Sequence, residues 1–291
     1  MGGQWVQFLA GGLTSGAIYA LVALGFSIIF NASRVINFAQ GEFVMIGGMS
    51  MVSLTALGMP TGVAIAGAVA IAAVVGLLLE KFAIARARGA DVVTLIIITI
   101  GASIFLRGIA QLVWDKGLHA LPPLSGEHPI ALFGATIVPQ TLWVLGVTVV
   151  IVTALSWFFG STRLGKAMLA TSHNRLAAQL VGIDIGIVLF ASFGLAAALG
   201  AIAGVLIAPI TFTSYDVGVM LGLKGFAAAI LGGLGSFPGA IAGGLALGLL
   251  ESFGAGFVSS AYKDVIAFLI MLAVLFFRPD GLLGALRTER V

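Results

Sequence analysis

The chain has no cysteine, and charge is almost as scarce: only 9% of its 291 residues are Asp, Glu, Lys or Arg. An ordinary soluble domain is about a quarter charged, so this sequence cannot cover a globular surface in water. The missing cysteine excludes a disulfide scaffold, thiol nucleophiles and cysteine-ligated zinc or iron–sulfur centres. The three histidines, His119, His128 and His173, lie far apart and lack metal-ligand spacing. What fills the chain is apolar: 60% hydrophobic residues, 41 glycines and a mean hydropathy of +1.18. Length alone suggests two soluble domains at about 150 residues each. This composition predicts instead one transmembrane domain over 1–291, an all-α polytopic helical bundle.

A bilayer core takes about 20 apolar residues per helix, and cutting the chain at its charges and turn residues yields eight to nine spans. They run over Trp5 to Phe30, Val92 to Trp114, Ile137 to Phe159, Ile187 to Pro209 and Tyr262 to Phe277, with two more between Phe43 and Leu79 around the turn Gly58–Gly62. The stretch Val217 to Phe257 is broken at Gly232-Gly233-Leu234-Gly235-Ser236-Phe237-Pro238-Gly239, which leaves open two short spans or a re-entrant pair. Positive residues in short loops set orientation. With the N-terminus outside, Arg34, Lys81, Arg86, Arg88, Arg163, Lys166, Arg175, Arg278, Arg287 and Arg290 fall in the cytoplasm, against Lys116, Lys224 and Lys263 outside. That arrangement puts the C-terminus in the cytoplasm. No Lys or Arg precedes Arg34, so the first segment lacks the basic region of a cleaved signal peptide and is expected to remain a helix. The net charge of +3 comes from residues flanking the membrane and implies lipid contact, with no nucleic acid as partner.

Small residues recur at close spacing, as in Gly11-Gly12 with Gly16 and in Gly239, Gly243-Gly244 and Gly248, and in lipid such faces let backbones approach and pack. The polar cluster Asn37, Gln40 and Glu42 at the start of a span reads either as a surface cap or as part of a polar passage. Asn37, Gln40 and Gly41 would share a face on a helix. Gly235 and Pro238, in the glycine-rich break, are candidates for unwound backbone beside a passage. Arg107, 15 residues into its span, is expected to snorkel or to pair with Asp115. Lys224 and Asp216 read as an external turn. Catalytic signatures are missing. Gly160 to Lys166 matches seven positions of a phosphate-binding loop, but the eighth is Ala167, without a hydroxyl for magnesium. No carboxylate pair shares a helix face within a span, so neither an intramembrane hydrolase nor a proton relay has its parts.

The loop 163–186 carries the functional signal. A helix is predicted from Lys166 to Val181, stopped by Gly182. Met168, Leu169, Leu176 and Leu180 would pack, while Ser172, Asn174, Arg175 and Gln179 face water. The residues alone leave open an interfacial helix or one that docks on a soluble partner.

Ala170, Ser172, Asn174, Ala177, Ala178, Gly182 and Ile183 resemble the coupling segment of ATP-binding-cassette (ABC) importer permeases of the branched-chain amino acid type. Three further blocks resemble the same family in the same order: Gly12-Leu13-Thr14 to Leu21, Ile36-Asn37-Phe38-Ala39-Gln40-Gly41-Glu42, and Phe277-Arg278-Pro279-Asp280-Gly281-Leu282. The resemblance is to the shorter, LivH-type permease; many relatives carry His and Asp where this chain has Gln40 and Glu42. It implies half of a translocation pathway in the bacterial inner membrane, with a second permease subunit, LivM-like or a second copy, supplying the other half. It implies two ABC ATPase subunits docked on Lys166, Arg175 and the coupling residues above, and a periplasmic amino-acid-binding protein. ATP and magnesium would sit on the ATPases, so this chain needs no cofactor or metal and is no enzyme. The rival reading is an ion-coupled secondary transporter or channel for a small polar solute.

Overall fold

The computed structural model describes residues 2–283 apart from 88, 127, 133, 134, 258 and 279. Arg88, Pro279, Arg287 and Arg290, used above, lie outside the described residues. Eleven α-helices are found there. They are α1 (Gly2–Ser33), α2 (Gln40–Ala56), α3 (Thr61–Leu79), α4 (Val92–Trp114), α5 (Pro139–Ser161), α6 (Arg163–His173), α7 (Arg175–Leu180), α8 (Ile185–Thr211), α9 (Val217–Gly232), α10 (Phe237–Phe257) and α11 (Lys263–Phe277). In hydrocarbon every backbone N–H and C=O must be paired within the chain, and uncharged runs of this length achieve that only as helices. Six of the helices are long and apolar enough to cross a membrane: α1, α3 with its continuation to Ala87, α4, α5, α8 and α10. The apolar helices α2, α9 and α11 are shorter, at 17, 16 and 15 residues. The glycine-rich break separates two helices: α9 stops at Gly232 and α10 starts at Phe237. An antiparallel ribbon of β1 (Ile130–Leu132) and β2 (Ala135–Ile137) interrupts the all-helical pattern between α4 and α5, where a loop was expected.

The helix α1 is the axis of the bundle, with 83% of its most apolar window buried, against 56% for α8 and 11% for α4. A fully apolar helix can be buried on all sides or face lipid; here neighbours decide. Glycine sets the packing of α1 against α10: a methyl group added at Gly16 would stand 2.8 Å from the Cα of Leu245, and one at Gly12 3.0 Å from the Cα of Leu249. The helix backbones therefore touch, the small-residue contact expected in lipid. Gly47 on α2 faces Ala201 on α8 in the same way, and Gly41 faces Gly218 and Gly222 on α9.

Cross-contacts fix which turns share an end of the bundle. The Asn31 side chain donates to the Gly235 carbonyl at 2.8 Å, Arg34 donates to the Ser172 carbonyl, and Leu282 N–H donates to Leu231 at 2.8 Å. One end thus carries the close of α1, the α6–α7 segment, the α9–α10 break and the close of the described chain. At the other end Trp5 and Phe8 pack at tilted and edge-on angles against Phe253 and Phe257, with ring centroids 4.9 Å apart for Trp5–Phe257. The first and last described residues lie at opposite ends.

Candidate functional site

The segment 34–39 leaves α1 and turns back into the bundle instead of capping it. Arg34 takes a left-handed conformation at φ 60°, and α2 begins only at Gln40. Gln40 lies against Gly25, eight residues short of the end of α1, a depth of about 12 Å at the helical rise. The expected shared helical face of Asn37, Gln40 and Gly41 therefore does not form, because Asn37 precedes the helix. Its Oδ1 accepts from Ala39 N–H at 3.1 Å, an Asx-type turn that competes with helix. The Gln40 Nε2 donates to the Ala196 carbonyl at 3.0 Å, tying α2 to α8. Asn37, Gln40 and Glu42 are all buried, so they are interior groups and not a surface cap.

A charge pair stands at this depth. Glu42 Oε1 accepts from the Ser103 hydroxyl at 2.7 Å and lies 3.3 Å from Arg107 Nε, both on α4. Arg107 therefore pairs with Glu42 and not with Asp115, because the three- and four-residue spacing of α4 carries Ser103 and Arg107 on one face toward α2. The second Glu42 oxygen, Oε2, has no hydrogen-bond partner, nor do Gln40 Oε1 and Asn37 Nδ2. Beside this pair lies a cavity of about 150 Å³, lined by Phe26, Phe38, Glu42, Ser103, Arg107 and Phe226, with Gly218 and Gly222 among its α9 wall. Gly235 and Pro238 are placed elsewhere. Gly235, at φ 92°, meets Asn31 at the end of the bundle, and Pro238 lines a separate, mostly apolar cavity with Phe159 and Phe237.

Lys224 is not in an external turn. It is buried on α9, its Nζ 2.8 Å from Glu251 Oε1, 2.7 Å from Asp264 Oδ1 and 3.2 Å from the Tyr19 hydroxyl. Tyr19 in turn donates to Glu251 Oε2 at 2.7 Å, and Lys263 stands 3.6 Å from Glu251. Sequence reading missed this group because its members are up to 245 positions apart, from Tyr19 to Asp264. The available signal was a lone Lys and a lone Glu inside apolar runs, which in a membrane demand partners.

At the bundle end, the predicted helix 166–181 is broken in two. Asn174, at φ −151°, ends α6 and caps α7, its Oδ1 accepting from Ala177 N–H at 3.0 Å. Asparagine favours such a cap over a helix interior. Gly182, at φ 88°, closes α7: its N–H donates to Gln179 and that of Ile183 to Ala178, both at 3.0 Å. This is the paired bonding of a Schellman stop, which needs a left-handed residue. Thr162 caps α6 through Gly165 N–H; the phosphate-loop look-alike at 160–166 is thus a corner between two helices. Met168, Thr171 and Ala178 face the bundle. Leu176 and Leu180, expected to pack inward, instead project outward at 74% and 88% exposure, beside exposed Val181. Lys166, Asn174, Arg175, Ala177 and Gly182 are exposed as well, while Ala170, Ser172 and Ile183 are half-buried. Among the described residues no cluster of His, Asp or Glu could hold a metal ion.

Glycine-packed apolar helices, an unwound polar segment inside the bundle and a capped helical pair at one end define a polytopic membrane permease. Residues 8–275 match the family model described as the branched-chain amino acid transport system permease component. The chain is 34% identical to the high-affinity branched-chain amino acid transport system permease protein BraD of Pseudomonas aeruginosa, and 35% identical to LivH of Escherichia coli K12. Each alignment covers 99% of this chain and 98% of the relative. Its fold is similar to PsaBC from Streptococcus pneumoniae, solved in complex with Fab, with TM-score 0.52 and 16% identity over 94% of this chain and 92% of that one. The chain belongs to the branched-chain amino acid transport permease family.

Proposed function

We propose that this chain is the permease subunit of an ATP-driven importer for branched-chain amino acids in the bacterial inner membrane. It forms half of the pathway, and a similar permease subunit or a second copy forms the other half. Two ATPase subunits, carrying ATP and magnesium, dock on α6–α7, and a periplasmic binding protein delivers substrate to the opposite end. The N-terminus is then outside and the C-terminus cytoplasmic.

The observation that carries the reading is the α6–α7 pair. Leu176, Leu180 and Val181 are apolar and exposed on a short helix capped at both ends, at the basic end of the bundle. A rigid helix with an unpartnered apolar ridge suits a groove on a soluble protein. Arg34 joins the Ser172 carbonyl to the unwound segment, so force applied to α6 reaches residues 34–39 and the start of α2. Free energy enters through the partners, and the chain itself does no chemistry.

The test is uptake into proteoliposomes containing this chain, its partner permease and the ATPases. ATP inside and binding protein outside should drive leucine, isoleucine or valine inward. Uptake that persists without ATP and collapses with the proton gradient would overturn the importer reading in favour of an ion-coupled transporter. Replacing Asn174 and Ala178 by Glu and Arg should abolish both uptake and ATPase co-purification; intact co-purification would refute the docking role.

A further inference from the structure

The 150 Å³ cavity between α2, α4 and α9 joins two opposite charges to an aromatic wall. We infer that it is a station for a free apolar α-amino acid held as the zwitterion, its ammonium on Glu42 Oε2 and its carboxylate on the Arg107 guanidinium. The inference rests on the importer reading above and adds to it a place inside this chain where the substrate pauses.

Glu42 carries the first part of the argument. The residue is 1% exposed, one oxygen is engaged by Ser103 and Arg107, and the other has no donor. A buried carboxylate oxygen without a donor is costly, and an ammonium group, with three N–H donors, supplies what is missing. The unpartnered oxygen lies against Gly218, whose added methyl group would stand 3.0 Å from it. Gly218 and Gly222, both in the cavity wall, let α9 come against the Gly41 backbone of α2 and so bring that wall to Glu42.

Arg107 carries the second. Its Nε faces Glu42, and its side chain is 31% exposed. Guanidinium offers five donors in a planar fork, and the Nε that lies 3.3 Å from Glu42 makes no hydrogen bond. Such a fork suits a carboxylate, for which two-point binding is the favoured geometry. Because Glu42 and Arg107 cancel, the cavity is neutral and dipolar. A zwitterion leaves it so, whereas a lone cation or anion would leave a buried charge unpaired.

The third part is the wall. Phe226 stands between Phe26 and Phe38, with ring centroids 5.5 and 5.6 Å away, and Ile100 and Leu223 complete an apolar lining. The cavity holds the volume of about five waters, enough for the charged head of one amino acid with its aliphatic part against the rings.

The experiment uses the complete importer in nanodiscs and a leucine analogue bearing a diazirine. After irradiation, label is expected on cavity residues such as Phe38, Leu223 or Phe226, and unlabelled leucine should compete for it. Isoamylamine and 4-methylpentanoate, each lacking one charge, should compete at least about tenfold more weakly, the cost of one charge-assisted hydrogen bond. Glu42→Gln and Arg107→Gln should each lower cavity labelling by a similar factor, scored on complexes that elute intact with their ATPases. Leu223→Trp, which narrows the cavity without touching charge, should do the same, and it serves where a charge variant does not assemble. Label confined to residues outside the cavity, or labelling unchanged in the assembled variants, overturns the station. Wild-type complex that takes up leucine with ATP but shows no label in the cavity overturns the station alone; wild-type complex without ATP-driven uptake overturns the importer reading itself.

Discussion

Glu42 and Arg107 form one of two groups of charges between helices, the other being Lys224, Glu251, Asp264 and Lys263, and the carboxylates of the two groups are paired to different degrees. Lys224 faces three oxygens, and both oxygens of Glu251 are engaged, one by Lys224 and one by Tyr19. Four helices, α1, α9, α10 and α11, meet there. The Glu42 group ties only α2 to α4 and leaves a carboxylate oxygen without a hydrogen-bond partner beside a cavity. In a low-dielectric interior a carboxylate with both oxygens engaged, as at Glu251, adds rigidity, while an unpaired buried oxygen, as at Glu42, is costly. The first is a clamp that joins short helices α9 and α11 to α1 and α10, and the second is the place of the proposed station.

The sharpest way to break this contrast is Lys224→Met, which takes the nearest cation from both Glu251 and Asp264. Removing one partner of a buried pair costs about 3–5 kcal/mol, so thermal unfolding in detergent should fall steeply or the protein should fail to accumulate. Adding Glu251→Leu removes the more buried of the two carboxylates left behind and should restore part of the loss; an unchanged unfolding temperature in the single variant would show that the clamp holds nothing. Glu42→Gln should cost less, about 1.5–3 kcal/mol for one charge-assisted hydrogen bond, while its uptake defect exceeds that of Lys224→Met variants rescued at Glu251.

Gly16→Ala tests packing away from both groups. Its methyl group meets the Leu245 backbone, and overpacking of this kind costs about 1–3 kcal/mol, read from the same unfolding curves. Asn174→Ala removes the α7 cap, worth about 1 kcal/mol; ATPase co-purification should weaken and Asn174→Asp should restore it. The smallest effect is at exposed Asp91, where the Thr94 hydroxyl holds the carboxyl below its usual range. A lowered folded-state value means its stabilisation is present above the ordinary carboxylate range and is lost as pH falls through the lowered value. Thr94→Val should flatten that acid-side dependence, measured as unfolding temperature against pH.

Most of the helices were legible because long uncharged runs leave the backbone a single solution in hydrocarbon. Val92 and Trp114 bound α4 as the sequence reading has them, and the break between Gly232 and Phe237 follows from its glycines. The stop at Gly182 was legible for the same local reason, whereas the break at Asn174 turns on a side-chain cap that competes with an otherwise good helix. Asn37, Gln40 and Glu42 were readable as polar residues in an apolar setting, but not their depth, which depends on the re-entry of 34–39. The partners of Arg107 and Lys224 were hidden for a different reason: ion pairs between helices depend on rotation and register that no local pattern encodes. The outward turn of Leu176 and Leu180 depends likewise on which face of α7 the bundle takes, and Ala178 takes it.

The contact between α1 and α10 has a mechanical consequence. With glycine at Gly12, Gly16, Gly244 and Gly248, no layer of side chains separates the two backbones, so there is nothing between them to slide or compress. Closely packed interiors shift between discrete arrangements and do not deform continuously. The two helices are therefore held as one stiff axle, and the joints that must absorb any motion around it lie together at one of its ends: residues 34–39, where α1 gives way to α2, and 233–236, where α9 gives way to α10.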